Sequence, residues 1–115
     1  MIKKKEQMRH AVIENMRGGE GAIHLEHVLE NSETGDRTGL CSVCTVEPGC
    51  SIGLHTHDTN AEIYYMLEGQ LELNQNGKIC TIQAGDVVFT ADGESHSVAN
   101  RGDQAAKLLA VIFPQ

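Results

Sequence analysis

Three histidines and one glutamate carry the chemistry that this chain advertises: His55, His57, Glu62 and His96. Neutral imidazoles and a carboxylate are donors for mid-row divalent ions, namely iron, manganese, nickel, cobalt or zinc. His55 and His57 lie two apart, so on a strand both side chains leave the same face. Glu62 opens the apolar run Glu62-Ile63-Tyr64-Tyr65-Met66-Leu67, and His96 follows the turn-like Ala91-Asp92-Gly93. Four such donors leave two positions open on an octahedral ion, for water, dioxygen or a substrate that chelates through two oxygens. A purely structural zinc site more often uses cysteines and closes its fourth position. A His-x-His pair by itself is more often surface or hydrogen-bonded histidine than ligand, so the reading rests on all four residues together.

Such distant residues need a scaffold of strands and turns to meet. From residue 22 onward, short apolar runs alternate with Gly-rich turns. The expected strands cover Ile23 to Leu29, Leu40 to Val46, Ser51 to His57, Glu62 to Leu67, Gln70 to Asn74 and Lys78 to Ile82. Val87 to Thr90, Ser95 to Ala99 and Lys107 to Phe113 complete the set. Asn76-Gly77 between two such runs signals a type I′ hairpin. Many short strands at this spacing imply a sandwich or a barrel. Upstream, Met8, Val12 and Met16 share a face at helical spacing and suggest a short helix over residues 5 to 16. Gly18, Gly19 and Gly21 then interrupt any regular element.

The pattern as a whole resembles the cupin superfamily. Its first motif, G-x5-H-x-H-x3–4-E-x6-G, is matched by Gly49, His55, His57, Glu62 and Gly69 without a gap. Its second, G-x5-P-x-G-x2-H-x3-N, is matched by Gly85, Gly93, His96 and Asn100, with Ala91 standing where the motif has proline. That departure touches turn rigidity and not a ligand. The resemblance implies an all-β, antiparallel jelly-roll barrel of six to eight strands. It implies one divalent transition metal (Fe, Mn, Ni, Co or Zn) held inside by His55, His57, Glu62 and His96. The four matched glycines fall at turns needing positive φ or close approach, and Asn100 at a structural position. Small cupins commonly dimerise, so a homodimer is expected. Residues 1–30 are read as an N-terminal extension that adds a strand to the partner's sheet or covers it, and residues 31–115 as the barrel.

Strand parity from Glu62 places Tyr64 and Met66 on the ligand face. Tyr64 is either a packed core tyrosine or a pocket hydroxyl that donates to substrate; Met66 is wall. Ile63, Tyr65 and Leu67 make the opposite face apolar, which calls for a covering sheet or a partner subunit.

Composition excludes several classes. The 115 residues suit one domain, and the net charge of −7 gives no basic face for nucleic acid beyond Lys3-Lys4-Lys5. No apolar run approaches the ~20 residues of a membrane span, and no apolar h-region follows the N-terminal lysines. A cytoplasmic protein is expected. Cys41 and Cys44 have C-x-x-C spacing, but residues three apart on a strand face opposite sides. With Cys50 and Cys80 they read as ordinary thiols in a reducing compartment. His24 and His27 fail as a second site for the same reason of parity. Between residues 38 and 100 the only base is Lys78, beside a hairpin tip. A neutral or mono-anionic chelator is therefore expected over a bare dicarboxylate or sugar phosphate. The functional expectation is a metal-dependent enzyme on a small oxygenated metabolite: an isomerase, decarboxylase, lyase or dioxygenase. The alternative is a non-catalytic barrel that binds a small molecule or sugar.

Overall fold

Ten strands build the chain: β1 (Arg9–Glu14), β2 (Ala22–His27), β3 (Leu40–Val46), β4 (Ser51–Thr56), β5 (Asn60–Glu68), β6 (Gln70–Gln75), β7 (Lys78–Gln83), β8 (Val87–Thr90), β9 (Ser95–Ala99) and β10 (Ala106–Pro114). The structure, a computed structural model, describes residues 1–114. All pairings are antiparallel. The strands make a six-stranded sheet, β1-β2-β3-β10-β5-β8, and a four-stranded sheet, β4-β9-β6-β7. Alternating inward residues from the two sheets form one aliphatic core, with Ile23, Val46, Ile52, Met66, Leu71, Val98 and Leu108 at 2% exposure or less. The all-β, antiparallel jelly-roll architecture is the one expected; its ten strands exceed the six to eight that the resemblance implies and add one, β1, to the nine read from the sequence pattern.

That added strand, β1, lies in the N-terminal segment and corrects the helix expected over residues 5 to 16. Only Lys5–Gln7 turns, as a single 3-10 turn. Arg9–Glu14 is β1, in register with β2 from Arg9↔His27 to Glu14↔Ala22. Six residues of ladder hydrogen bonding outweigh a helical stripe of three apolar residues, and the β-branched pair Val12-Ile13 favours the strand. β2 in turn pairs with β3 of the same chain, and its Ile23 and Leu25 belong to the core. The first 30 residues thus extend this chain's own sheet.

Two turns govern how the sheets close. Asn76 and Gly77, both at positive φ (54° and 88°), form the tip of the β6–β7 hairpin as expected. Gly69 alone carries the chain from β5 in one sheet to β6 in the other. Its φ is 73°, and a Cβ there would lie 2.7 Å from the Ala105 carbonyl oxygen, so the corner admits only glycine. No helix of the described residues is long and apolar enough to cross a membrane.

Candidate metal centre

The four donors come from three strands in two sheets. His55 on β4 and His96 on β9 are direct register partners in the four-stranded sheet. Glu62 reaches in from β5 of the other sheet. His57 lies just past the end of β4, where its N–H donates to the Glu94 carbonyl (2.9 Å) and its carbonyl accepts from Gly93 N–H (2.7 Å). The parity of β4 is not uniform. Ile52 pairs with Val98, but His55 pairs with His96, so β4 carries one extra residue between them. This bulge re-aims the strand. Ile52 faces the core at 2% exposure, Leu54 faces out at 61%, and both histidines face in. Without the bulge, Leu54 would point inward in their place.

The side chains then converge. His96 Nε2 lies 2.9 Å from His57 Nε2 and 3.0 Å from His55 Nε2. Glu62 Oε1 lies 3.0 Å from His96 Nε2 and 3.1 Å from His57 Nε2. One donor atom from each residue fits within 4.8 Å of all the others.

The protons decide what these short separations mean. His55 Nδ1 faces the Gly53 carbonyl at 2.8 Å, an acceptor only, so Nδ1 carries the proton. His57 Nδ1 faces Asn60 Oδ1 at 2.5 Å, and Asn60 Nδ2 donates to the Asp58 carbonyl, which fixes the amide orientation. His96 Nδ1 meets the Thr90 hydroxyl at 2.8 Å. That hydroxyl donates to Gln75 Oε1, and Gln75 Nε2 donates to the Phe89 carbonyl. Thr90 has therefore committed its one proton and must accept from His96. All three rings are held as Nδ1–H tautomers, and all three Nε2 atoms present bare lone pairs to one another. Glu62 Oε1 among them is buried without a hydrogen bond. Four donor groups this close are repulsive unless a proton or a cation sits among them, and three bare Nε2 atoms with an ionisable carboxyl fit a divalent ion. Separations near 3.0 Å match donors about 2.1 Å from one ion at right angles; a tetrahedral ion would splay them to about 3.4 Å.

Comparison with known proteins agrees with this architecture. Residues 42–112 match the family model described as Cupin domain. The chain is a cupin. It is 40% identical over 113 residues, 98% of this chain and 93% of the relative, to a Thermotoga maritima protein named "Oxalate-binding protein". A crystal structure of a "predicted oxalate decarboxylase" from Thermotoga maritima superposes with a TM-score of 0.94, at 39% identity, covering 100% of both chains. A Streptomyces glaucescens tetracenomycin polyketide synthase protein is 28% identical over 87 residues, 76% of this chain and 58% of its own length.

Burial tunes the cupin's donors. Glu62 is pushed up to about 7 by burial, against the pull of His57 and His55. His96 is depressed to about 4 by burial, and His55 is lowered mainly by the same cause. Near neutral pH the His96 and His55 rings are thus uncharged and available as ligands. His96, His57 and Glu62 are sealed, whereas His55 is half-buried and marks the open side.

Tyr64 and Met66 do lie on the inward face of β5. The Tyr64 ring stacks on His96, with centroids 4.7 Å apart and planes 14° from parallel. Met66 is 1% exposed within the core cluster. Asn100 donates to the Val46 and Gln104 carbonyls and so ties loop to strand. Cys44 also faces inward, its thiol pushed up to about 12 by burial and then by Glu62. The described cysteines are all free thiols, Cys41 and Cys44 differing in burial as opposite strand faces require.

Sequence reading missed the residues that set the tautomers: Gly53, Asn60, Thr90 and Gln75. The available signal was a polar threonine at an inward position of Val87-Val88-Phe89-Thr90. Thr90→Val keeps the shape but removes the acceptor for His96 Nδ1–H. Its expected effect is a 10- to 100-fold loss of metal affinity, roughly as for other outer-shell partners of ligating histidines, measured by competition with a chelating dye.

Proposed function

We propose that this cupin holds one divalent transition-metal ion (iron, manganese, nickel, cobalt or zinc) on His55, His57, Glu62 and His96, and acts as a metal-dependent enzyme on a small carboxylate chelator of the oxalate class. The carrying observation is the set of three Nδ1 hydrogen bonds that turn three bare Nε2 atoms toward an unpartnered, buried Glu62 oxygen. A bound ion would supply Lewis acidity to the oxygens of the chelator at its two remaining positions. The chain's own residues do the rest. The three rings are fixed with Nε2 toward the site, and Glu62 gives up its proton when the ion enters. Tyr64, on the ligand face and against His96, forms the pocket wall beside the donors, with Met66 behind it. The ligand class follows the name of the 40% identical relative. It departs from the neutral or mono-anionic chelator expected from sequence, on the strength of that relative's name.

A second reading, binding without turnover, is favoured by the same relative's name, which describes binding only. Untagged protein reconstituted with each metal separates the two. Expected are one ion per chain by plasma emission, calorimetric binding of oxalate, and release of carbon dioxide with formate. Binding with no product for any metal supports the binder; no stoichiometric metal refutes both.

We also assign this cupin to a homodimer in the reducing cytoplasm, the latter on its free thiols. On the outer face of the six-stranded sheet, Tyr65, Val87 and Phe89 are 43%, 65% and 57% exposed. They adjoin through the pairs Tyr65↔Val87 and Ile63↔Phe89, and Leu67 at 40% extends the patch. Sedimentation at twice the 12.5 kDa chain mass is expected; sedimentation at the chain mass at micromolar concentration refutes the dimer.

A further inference from the structure

We propose that Asp92 is a positioning residue of the metal centre: it holds Thr59 in a strained backbone shape, and that shape lets Asn60 fix the His57 ring with Nε2 toward the ion. The inference deepens the metal reading above and rests on it, naming a residue outside the donor set.

Thr59 lies between two donors, His57 and Glu62, on the short connection from β4 to β5. Its φ is 60°. Of the five non-glycine residues at positive φ among the described residues, Asn15, Arg17, Asp36, Thr59 and Asn76, it alone is β-branched. A branched side chain is strained in left-handed space, and such a residue stays there only when its surroundings hold it. The holding contact comes from the turn before β9: Thr59 N–H donates to Asp92 Oδ1 at 2.7 Å. Backbone bonds from Gly93 and Glu94 to His57 press the same turn against this loop. The turn is itself stiffened. Where the family motif has proline, Ala91 keeps an N–H, and it donates to Glu94 Oε1 at 2.8 Å. Glu94 Oε2 accepts from Asn76 Nδ2 at 2.7 Å, which ties the turn to the β6–β7 hairpin tip.

What the strained residue delivers follows at once in the chain. Asn60 Oδ1 accepts from His57 Nδ1, and Asn60 Nδ2 donates to the Asp58 carbonyl at 3.2 Å. The Thr59 hydroxyl donates to that same carbonyl at 2.6 Å. These short-range contacts close around Thr59, so returning its φ to the ordinary negative range swings Asn60 away from the His57 ring. His57 Nδ1 then loses its acceptor, and its proton is released to move to Nε2, the atom that must be bare to bind an ion. Asp92 and Thr59 are both exposed, whereas His57 is buried. The contact between them therefore does little for the core. Its effect is delivered to the ring two residues before Thr59.

The test uses the full chain as wild type, Asp92→Ala, Asp92→Asn, Thr59→Gly and the double variant Thr59→Gly with Asp92→Ala. Zinc(II) affinity is read by competition with a chelating dye. The imidazole protonation sites of the metal-free protein are read by nitrogen NMR at pH 8. Asp92 is exposed, so its variants are expected to keep the wild-type circular dichroism spectrum. Asp92→Ala is expected to lose about tenfold in zinc affinity. Its His57 should divide between Nδ1–H and Nε2–H, while His55 and His96 remain Nδ1–H. Asp92→Asn keeps an accepting oxygen and is expected to stay within about threefold of wild type. Glycine enters left-handed space without strain, so the double variant is expected within about threefold of Thr59→Gly. Unchanged zinc affinity or an undivided His57 in Asp92→Ala overturns the proposal. So does a change shared equally by all three rings, which marks a general loosening, or a double variant in which the single losses simply add. Wild type that takes up no zinc overturns the functional reading; the His57 protonation site in the metal-free variants then decides this proposal by itself.

Discussion

Glu62→Gln is expected to stabilise the metal-free barrel above pH 7 and to abolish stabilisation by metal. The two effects have opposite signs and one cause. Glu62 is 3% exposed, its Oε1 lacks a hydrogen bond, and its carboxyl is raised to about 7 from the usual 4.5. A group raised in the folded state contributes stability that is complete below its unfolded value and is lost as pH rises through its folded value. For Glu62 that window runs from about 4.5 to about 7. The loss is at most on the order of 3 kcal/mol. Glutamine carries no charge to desolvate, so the chelator-treated variant should melt higher than wild type at pH 8. The gain is about 4 °C or more for a domain of this size. Metal reverses the order. Wild type at one hundred times its dissociation constant gains about 2.7 kcal/mol, whereas Glu62→Gln gains almost nothing. Because the carboxyl must be ionised to bind, the metal-induced rise in wild type should shrink below pH 7, by up to one proton per ion. His96→Ala serves as companion, losing the ion while the barrel folds. One ion per chain in either variant, measured by plasma emission, removes these residues from the ligand set.

Gly53→Ala should be among the costliest single methyl additions in the chain. The new Cβ would overlap the Arg17 carbonyl and crowd the Gly19 N–H, both backbone groups that cannot swing aside. Overpacking of this kind costs about 3 kcal/mol or more. Gly49→Ala is the control: nothing lies within 4 Å of its Cβ, and its φ of 82° imposes only the left-handed penalty of about 1 kcal/mol. The difference should appear in the urea midpoint. Gly53→Ala should also weaken metal binding, because lifting the turn displaces the carbonyl that holds His55 Nδ1. Equal midpoints for the two variants would mean that the N-terminal turn does not brace β4.

The four donors could be found in the sequence because their identities and intervals survive without coordinates: His-x-His at strand spacing, a glutamate opening an apolar run, a histidine after a glycine turn. The strands were legible for the same reason, since alternation and Asn76-Gly77 are local signals. What stayed hidden was non-local. Nothing near Val12 says that residues 9 to 14 find β2, so helical spacing misled there. The β4 bulge lies against a turn more than thirty residues upstream, and a uniform alternation from Ile52 would have sent His55 outward. The partners that fix the tautomers, Thr90 with Gln75 above all, meet only after the hairpin and both sheets have formed.

The Gln75 amide has one last implication. It sits on β6 of one sheet, accepts from Thr90 and donates to Phe89 on β8 of the other, and so works as a staple across the barrel's lip. The same staple sets which nitrogen of His96 is bare. A lip that gapes would therefore lose its hold on the cation, and a captured cation would keep the lip shut: ion capture and rim closure rise and fall as one equilibrium.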